Sequence, residues 1–272
     1  MELRNHQYAI TKKTVAPIRK ETNFKSEMAD ESLFGMVVKI LRNEGRGWYY
    51  VETHYDYYGY MHESDLIMDT DEALDWQEKS SNNLKHPIID VMAEAKYQSY
   101  KIELLVKGSF IIPTDNKKDG WTEIILPQKK KGWIKSDFIY EDNIYVKDED
   151  KLRERLVKTA LTYLGTQYRW GGKSPLGIDC SGLTSMSYLL NGIVIYRDAL
   201  LKDKYMKEIK LDDIKKGDLL FFPGHVAMYI GDNKYVHSTS SSHGVVINSL
   251  DPEDKDFRKD LKEDITCIGT IF

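Results

Sequence analysis

Residues 168–183 read Tyr-Arg-Trp-Gly-Gly-Lys-Ser-Pro-Leu-Gly-Ile-Asp-Cys-Ser-Gly-Leu, and this stretch decides how the C-terminal half of the chain is interpreted. A glycine-rich loop ends at Asp179-Cys180, after which Leu183, Met186 and Leu190 recur at helical spacing. The pattern predicts that Cys180 lies in the first turn of a helix, where the helix dipole stabilises a thiolate. A single cysteine is more often a small buried hydrophobe, so the residues around it have to decide its role.

Two histidines further along the chain favour a catalytic role. His225 opens one predicted strand and His237 lies on the next, across a turn at residues 231–233. A three-residue loop would pair His237 with Ala227, on the same face as His225 and diagonal to it, at about 7–8 Å between backbones. A slip of one residue would place the two rings on opposite faces. A cysteine nucleophile needs a base and a group that orients the base, so Cys180, His225 and His237 form a candidate triad.

Composition excludes several classes of protein. The chain has 272 residues, enough for two or three small domains, and its net charge of −4 offers no basic surface for nucleic acid. Two cysteines do not make a disulfide framework. Residues 1–22 contain no apolar run that would serve as a signal peptide or membrane anchor, so the expected location is the cytoplasm, without a membrane partner.

The first half of the chain contains short apolar runs separated by turn residues, including one from Leu33 to Leu41. A repeat is visible, since Trp48-x-x-Val51 recurs as Trp121-x-x-Ile124, 73 residues later. Gly59-Tyr60-Met61 likewise recurs as Gly132-Trp133-Ile134. Such strands resemble the bacterial SH3-like barrel. The sequence therefore predicts barrels at residues 1–69 and 86–140, with a linker at 70–85 that could form one short helix.

The C-terminal part, residues 151–272, follows a charged linker at 141–150. Apolar residues from Lys151 to Leu164 recur on one helical stripe, and Gly165 is expected to end that helix. After the helix that begins near Cys180, several strands follow in succession. A helix pair followed by antiparallel strands predicts an α+β domain.

The motifs of this domain resemble those of the NlpC-type cysteine peptidases, a compact branch of the papain-like group. The resemblance rests on Tyr168-x-Trp170-Gly-Gly, Asp179-Cys180-Ser181-Gly182, Lys215-Lys-Gly-Asp-Leu219 and Gly224-His225-Val226, followed by His237 twelve residues after His225. Two preceding SH3-like barrels without a signal peptide resemble the γ-D-glutamyl-L-diamino acid endopeptidases, the dipeptidyl-peptidase VI subgroup. The resemblance implies a multidomain fold, with two all-β barrels before a papain-like α+β catalytic domain.

The resemblance also implies a role for each matching residue. Cys180 is expected to be the nucleophile, His225 the general base, and His237 the polar residue that fixes the tautomer of His225. Tyr168 is expected to point towards the oxyanion, together with the backbone N–H of Cys180. Trp170 would line the substrate cleft, although an ordinary core tryptophan is nearly as plausible.

Recognition of a free amine has a separate physical argument. A substrate amine entering a partly dry cleft needs an anionic partner, because an unpaired buried charge is costly. Asp179 can pair with it, with a hydrogen bond from Ser181, but Asp179 is an equally good helix cap. From the subgroup, the first barrel is expected to supply a tyrosine and an acid, Tyr57 (or Tyr58) and Glu27 (or Glu31). Met36 stands where that subgroup would have an acidic residue.

The implied reaction is hydrolysis of the bond between D-γ-glutamate and a diamino acid, meso-diaminopimelate or lysine, in murein peptides with a free N-terminal L-Ala. Release of L-Ala-D-Glu would place the enzyme in peptidoglycan recycling. The alternatives are a secreted endopeptidase of intact wall and a non-catalytic wall-binding protein. No cofactor is expected, and no metal, since His225 and His237 lack a suitable third ligand nearby in the sequence.

Overall fold

The computed structural model describes residues 7–82, 84–140 and 148–272, so His6 and most of the predicted linker at 141–150 lie outside the described residues. The chain divides into two compact units, residues 1–142 and 143–272, which are described separately. Within the described ranges, no helix is both long and apolar enough to cross a membrane.

Seven strands form the first antiparallel sheet, in the order β3-β2-β6-β5-β4-β1-β7. Their bounds are β1 (Gln7–Thr11), β2 (Val15–Arg19), β3 (Met28–Leu33), β4 (Val37–Gly45), β5 (Trp48–Glu52), β6 (Tyr58–His62) and β7 (Leu66–Ile67). Every strand except β3 contributes to one apolar core, which includes Ile18 of β2 and Leu66 of β7, near opposite ends of this order. The sheet therefore curls around its core as a small barrel.

The composition of the apolar run from Leu33 to Leu41 suggested one strand, but the run does not form a single strand. It contains the end of β3 and the start of β4, joined by a turn at Gly35 with φ of +79°. A positive φ of this kind is open to glycine at little cost, so Gly35 allows the chain to reverse inside an apolar run.

A second sheet of five strands has the order β10-β11-β12-β8-β9. Its strands are β8 (Ile88–Met92), β9 (Lys101–Val106), β10 (Ile112–Lys118), β11 (Trp121–Leu126) and β12 (Lys130–Lys135). The repeated glycines Gly59 and Gly132 occupy equivalent places in β6 and β12. A Cβ atom would lie 2.5 Å from Ile18 Cγ2 at Gly59 and 2.4 Å from Val91 Cγ1 at Gly132. The repeat thus preserves a close approach between strands in both barrels.

Helix α1 (Thr70–Lys79) connects the two barrels. Asp69 caps it, accepting a hydrogen bond from the Glu72 N–H at 3.0 Å. On its buried face, Trp76 packs with Ile10 of the first barrel and partly buried residues of the second. The Trp76 indole also donates to the Gly35 carbonyl at 2.8 Å. The helix predicted within residues 70–85 is therefore present and belongs to this unit's core.

The second unit contains a six-stranded sheet in the order β15-β20-β16-β17-β18-β19 and a small β13-β14 hairpin. The strands are β13 (Lys173–Ser174), β14 (Gly177–Ile178), β15 (Lys207–Ile209), β16 (Leu219–Phe222), β17 (His225–Gly231), β18 (Lys234–Thr239), β19 (Gly244–Ser249) and β20 (Cys267–Thr270). The helices are α2 (Glu149–Leu161), α3 (Cys180–Leu189) and α4 (Lys259–Glu263). The predicted fold class, two β barrels followed by an α+β domain, is confirmed.

Helix α2 ends earlier than predicted. It stops at Leu161, not near Gly165, and Leu164 is exposed although the helical stripe suggested burial. Arg153 on its buried face donates to the Asp218 carboxylate at 2.8 Å, just before β16. Both side chains are almost fully buried, so this ion pair ties α2 to the sheet that carries the histidines.

Candidate active site

Cys180 is the first residue of α3, as the sequence predicted. The preceding residue, Asp179, is extended with φ of −96°, and its Oδ1 accepts a hydrogen bond from the Gly182 N–H at 2.7 Å. The Cys180 side chain is 8% exposed, and its sulfur accepts a hydrogen bond from the backbone of Val226, the residue after His225. The thiol thus faces the start of β17.

The expected stabilisation of a thiolate by the helix dipole is outweighed in this setting. Burial, followed by the negative charge of Asp179, raises the pKa of Cys180 to about 11. The hydrogen bond from Val226 and the charge of Arg197 act in the opposite direction but are smaller. The free-energy cost of burying a thiolate exceeds the stabilisation that the helix N-terminus provides, so the resting group is a thiol at neutral pH.

His225 and His237 lie on neighbouring strands with their rings in contact. Met228 pairs with Val236, the register in which Ala227 faces His237. The two histidines are then on one face, and His225 Nε2 lies 2.7 Å from His237 Nδ1. The predicted arrangement is present, although the turn is different. Two residues with positive φ, Asp232 and Asn233, form it, and a bulge follows Tyr229 where a three-residue loop was expected.

Burial keeps both histidines neutral at neutral pH. It lowers the pKa of His225 to about 4, with smaller contributions in the same direction from His237 and Arg258. It also lowers the pKa of His237 to about 4, against a hydrogen bond that the ring donates to Asn248, which raises it. A neutral imidazole can accept a proton, which is what a general base must do.

Asn248 continues this line of hydrogen bonds and was not identified from the sequence. Its Oδ1 lies 2.9 Å from His237 Nε2, and its Nδ2 donates to the Asp256 carbonyl at 2.9 Å. His237 pairs with Val246 on β19, so Asn248, two residues further, shares the face of the histidine. Only the register of β18 and β19 brings the two together.

The Asp179 carboxylate is occupied by groups of its own chain. Arg197 donates Nη1 to Oδ1 at 2.9 Å and Nη2 to Oδ2 at 2.8 Å. Two backbone N–H groups also donate to the carboxylate, from Gly182 to Oδ1 and from Gly171 to Oδ2 at 2.8 Å. With the Ser181 hydroxyl, which donates to Oδ1 at 3.3 Å, these donors occupy the accepting positions of the carboxylate. The geometry therefore supports the helix-cap interpretation, and a substrate amine would have to displace one of these donors.

Ser181 and Arg197 belong to the same cluster. The Ser181 hydroxyl lies 3.3 Å from Asp179 Oδ1 and accepts a hydrogen bond from Arg197 Nη1. Both side chains are buried, as is Asp179. Arg197 was missed because it lies in an irregular stretch after α3 that carries no periodic pattern. The role predicted for Ser181 with a substrate amine stays a prediction.

Tyr168 lies beside the thiol, and Trp170 faces outward. Burial raises the pKa of Tyr168 to about 12, and the second contribution comes from the charge of Cys180, which places the phenol near the sulfur. Its hydroxyl therefore remains a hydrogen-bond donor at neutral pH. Trp170 is 59% exposed, so it is not an ordinary core tryptophan. Its predicted contact with substrate is untested.

The residues expected from the first barrel lie in the other unit. Tyr57 donates to the Ala29 carbonyl at 3.5 Å, and Tyr58 to Glu52 at 2.8 Å. Glu27 forms an exposed ion pair with Lys20 at 2.8 Å, whereas Glu31 is buried. Their predicted place at the substrate cleft stays a prediction.

The described part of the chain contains no cluster of three His, Cys, Asp or Glu residues arranged to hold a metal ion. The chemistry that the cluster around Cys180 can perform is nucleophilic attack by sulfur with an imidazole as base.

Comparison with known proteins agrees with this geometry. The NlpC/P60 family profile matches residues 165–258, and the profile of the bacterial dipeptidyl-peptidase SH3 domain matches residues 18–66. Dipeptidyl-peptidase 6 of Lysinibacillus sphaericus is 42% identical over 269 residues, covering 97% of this chain and 99% of the relative.

Two further relatives extend the comparison. The γ-D-glutamyl-L-lysine dipeptidyl-peptidase of Bacillus subtilis is 33% identical over 144 residues, which are 47% of this chain and 49% of that protein. The crystal structure of an NlpC/P60 family protein from Bacillus cereus has the same fold, with a TM-score of 0.81 at 20% identity over 97% of this chain and 99% of that chain. This chain therefore belongs to the NlpC/P60 family of cysteine peptidases and carries a bacterial dipeptidyl-peptidase SH3 domain ahead of its catalytic domain.

Proposed function

We propose that the enzyme hydrolyses the γ-D-glutamyl bond to a diamino acid in cell-wall peptides that begin with a free L-Ala, and releases L-Ala-D-Glu. The observation that carries the reaction type is the hydrogen bond of 2.7 Å between His225 and His237, beside a buried thiol at the start of α3. The names of the two dipeptidyl-peptidase relatives support the product length, and the name of the second supports the bond.

The first step of the proposed mechanism is attack by the Cys180 sulfur on the γ-carbonyl carbon of D-glutamate. Because the resting pair is a neutral thiol and a neutral imidazole, the proton passes to His225 as the C–S bond forms. His225 Nε2 is engaged with His237, so Nδ1 is the nitrogen that receives this proton. The resulting imidazolium is stabilised by His237 Nδ1.

The carbonyl oxygen becomes an oxyanion in this step. The backbone N–H of Cys180 at the helix start is one donor for it, and the Tyr168 hydroxyl is the other. The pKa of Tyr168, raised to about 12 mainly by burial, keeps its hydroxyl protonated and able to donate. When the tetrahedral intermediate collapses, the oxyanion re-forms the C=O double bond and the C–N bond breaks. His225 Nδ1 gives its proton to the departing amine.

The thioester is then hydrolysed. His225, neutral again, takes a proton from water while the hydroxide oxygen bonds to the carbonyl carbon, and the proton returns to the sulfur as the C–S bond breaks. L-Ala-D-Glu leaves as a carboxylic acid, which loses its proton to solvent, and the thiol is restored. A free N-terminal alanine exists only after the peptide has been cut from the glycan, so we place the reaction on released peptides, in recycling in the cytoplasm.

Mass spectrometry of L-Ala-γ-D-Glu-meso-diaminopimelate, its lysine counterpart and the N-acetylated forms tests this proposal. We expect cleavage of the free peptides and little of the acetylated ones, because the product begins at a free amine. Equal cleavage of free and acetylated forms would contradict the dipeptidyl assignment and favour an endopeptidase of intact wall. No cleavage of any peptide would contradict the proposed substrate class.

A further inference from the structure

Asn248 closes the line of hydrogen bonds that starts at His225, and its orientation follows from a single group. Its Nδ2 lies 2.9 Å from the Asp256 carbonyl, and because a carbonyl can only accept, the amide nitrogen must be on that side. The same Asp256 carbonyl accepts a hydrogen bond from the Ser249 N–H at 3.0 Å, which holds the carbonyl against the end of β19. The amide oxygen of Asn248 therefore faces His237 as an acceptor.

The proton positions on both histidines follow from this acceptor. Asn248 Oδ1 lies 2.9 Å from His237 Nε2, so a neutral His237 carries its proton on Nε2 and keeps a lone pair on Nδ1. His237 Nδ1 lies 2.7 Å from His225 Nε2. Because this Nδ1 accepts, His225 Nε2 must carry a proton and donate it. The free lone pair of His225 is left on Nδ1.

The opposite pattern would be unproductive. With its proton on Nδ1, His237 would donate to His225 Nε2, and the proton of His225 would move to Nδ1. His225 would then have no lone pair for the Cys180 proton. Neither histidine distinguishes the two patterns alone, since each ring can donate or accept at either nitrogen. The only group in the line whose role is fixed by its chemistry is the Asp256 carbonyl.

We propose that Asn248 is a positioning residue, which transmits the fixed acceptor character of the Asp256 carbonyl to the histidine pair and holds His225 as the Nε2–H tautomer. Asn248 touches neither substrate nor sulfur in this scheme. The inference rests on the proposed role of His225, but the tautomers can be measured without substrate, so a wrong substrate assignment would leave this test intact.

Long-range proton–nitrogen NMR of the full chain labelled with ¹⁵N-histidine reports which ring nitrogen carries the proton. In the native protein we expect His225 and His237 both as Nε2–H tautomers. The Asn248→Leu variant, similar in size but without an acceptor, should show His237 shared between its two tautomers. The Asn248→Asp variant loses the donor to the Asp256 carbonyl but keeps an acceptor of the same length for His237 Nε2, so it should show the native pattern.

Turnover provides the second readout. We expect Asn248→Leu to lower kcat about tenfold with KM little changed, since one hydrogen bond in the line is lost. Asn248→Asp should retain most of kcat. Lys234→Ala is the matched control, because it removes a 3.3 Å ion pair to Asp254, near Asp256, without touching the histidines. That control should keep native kcat and tautomers.

Several results would overturn the proposal. An Nδ1–H tautomer of His237 in the native protein would contradict it directly. Unchanged tautomers in a folded Asn248→Leu variant would do the same, and so would equal losses of kcat in Asn248→Leu and Asn248→Asp. If Asn248→Leu does not fold, the tautomer of His237 in the native protein still tests the proposal. A loss of the native tautomers in Asn248→Asp would then also contradict it.

Discussion

Arg197 holds both oxygens of the Asp179 carboxylate, with Nη1–Oδ1 and Nη2–Oδ2 distances of 2.9 and 2.8 Å. Asp179 in turn caps the helix that begins with Cys180. The pair is buried, so neither charge is compensated by water. The position of the nucleophile thus depends on a residue 17 positions further along the chain, outside the motif that contains it.

We expect Arg197→Met to destabilise the protein by about 3–5 kcal/mol, because it leaves the Asp179 charge buried without its partner. Arg258→Met is the matched control, since its pair with Asp260 is open to solvent, with side-chain exposures of 31% and 58%, and should contribute at most about 1 kcal/mol. Urea denaturation measures both. A loss below about 1 kcal/mol in Arg197→Met would show that the pair does not hold the helix start.

His237→Ala should lower kcat by about a hundredfold or more with little change in KM. The imidazole of His225 would lose the acceptor that selects its tautomer and stabilises its charged form. Steady-state kinetics with the free tripeptide measures this. His86→Ala, an exposed histidine of the second barrel, should behave as the native enzyme. Activity in His237→Ala equal to that control would remove His237 from the mechanism.

Tyr168→Phe should reduce kcat by about 10²–10³-fold, the usual effect of losing one oxyanion donor. KM should change little, since the oxygen is a neutral carbonyl in the bound substrate. Tyr100→Phe, at an exposed position in the second barrel, is the control for a lost hydroxyl. A native kcat in Tyr168→Phe would show that the phenol does not contact the oxyanion.

The pH profile should show activity well into the acid range. The reaction needs neutral His225, and its pKa is lowered to about 4 by burial, by His237 and by Arg258, against an opposing effect of Asp179. kcat/KM should therefore stay level from about pH 7 to about pH 5 and fall as the imidazole gains its proton near pH 4. Half-maximal activity near the ordinary histidine value of about 6.5 would contradict this environment.

Loss of folding stability at acid pH is expected to limit how far the pH profile can be followed. The folded-state pKa values of His225 and His237 lie below their ordinary value of about 6.5, so the unfolded chain binds more protons between about pH 4 and pH 6.5. These histidines therefore contribute stability above about pH 6.5, and that contribution is lost as the pH falls towards 4. Circular dichroism at each pH separates loss of activity from unfolding.

Much of this fold could be predicted because its signals are local. The start of α3 follows from apolar spacing after Asp179, and the barrels follow from a repeat of tryptophan and glycine positions. The diagonal placement of His225 and His237 depended on one hairpin, whose bulge compensates for a turn shorter than expected.

Contacts between distant segments could not be predicted in this way. Arg197 meets Asp179 only after the chain has passed through α3 and its loop, and Asn248 meets His237 only through the register of two strands. The prediction that Cys180 is a thiolate was wrong for a related reason. A helix dipole is visible in the sequence, whereas the burial that raises the thiol pKa exists only in the folded protein.

The most direct test of the central claim is mass spectrometry of the products that native protein and its Cys180→Ala variant form from L-Ala-γ-D-Glu-meso-diaminopimelate. The native enzyme should release L-Ala-D-Glu and the free diamino acid. The variant should keep the native circular dichroism spectrum and melting temperature but release neither product. Equal product release by a folded Cys180→Ala variant would contradict the account.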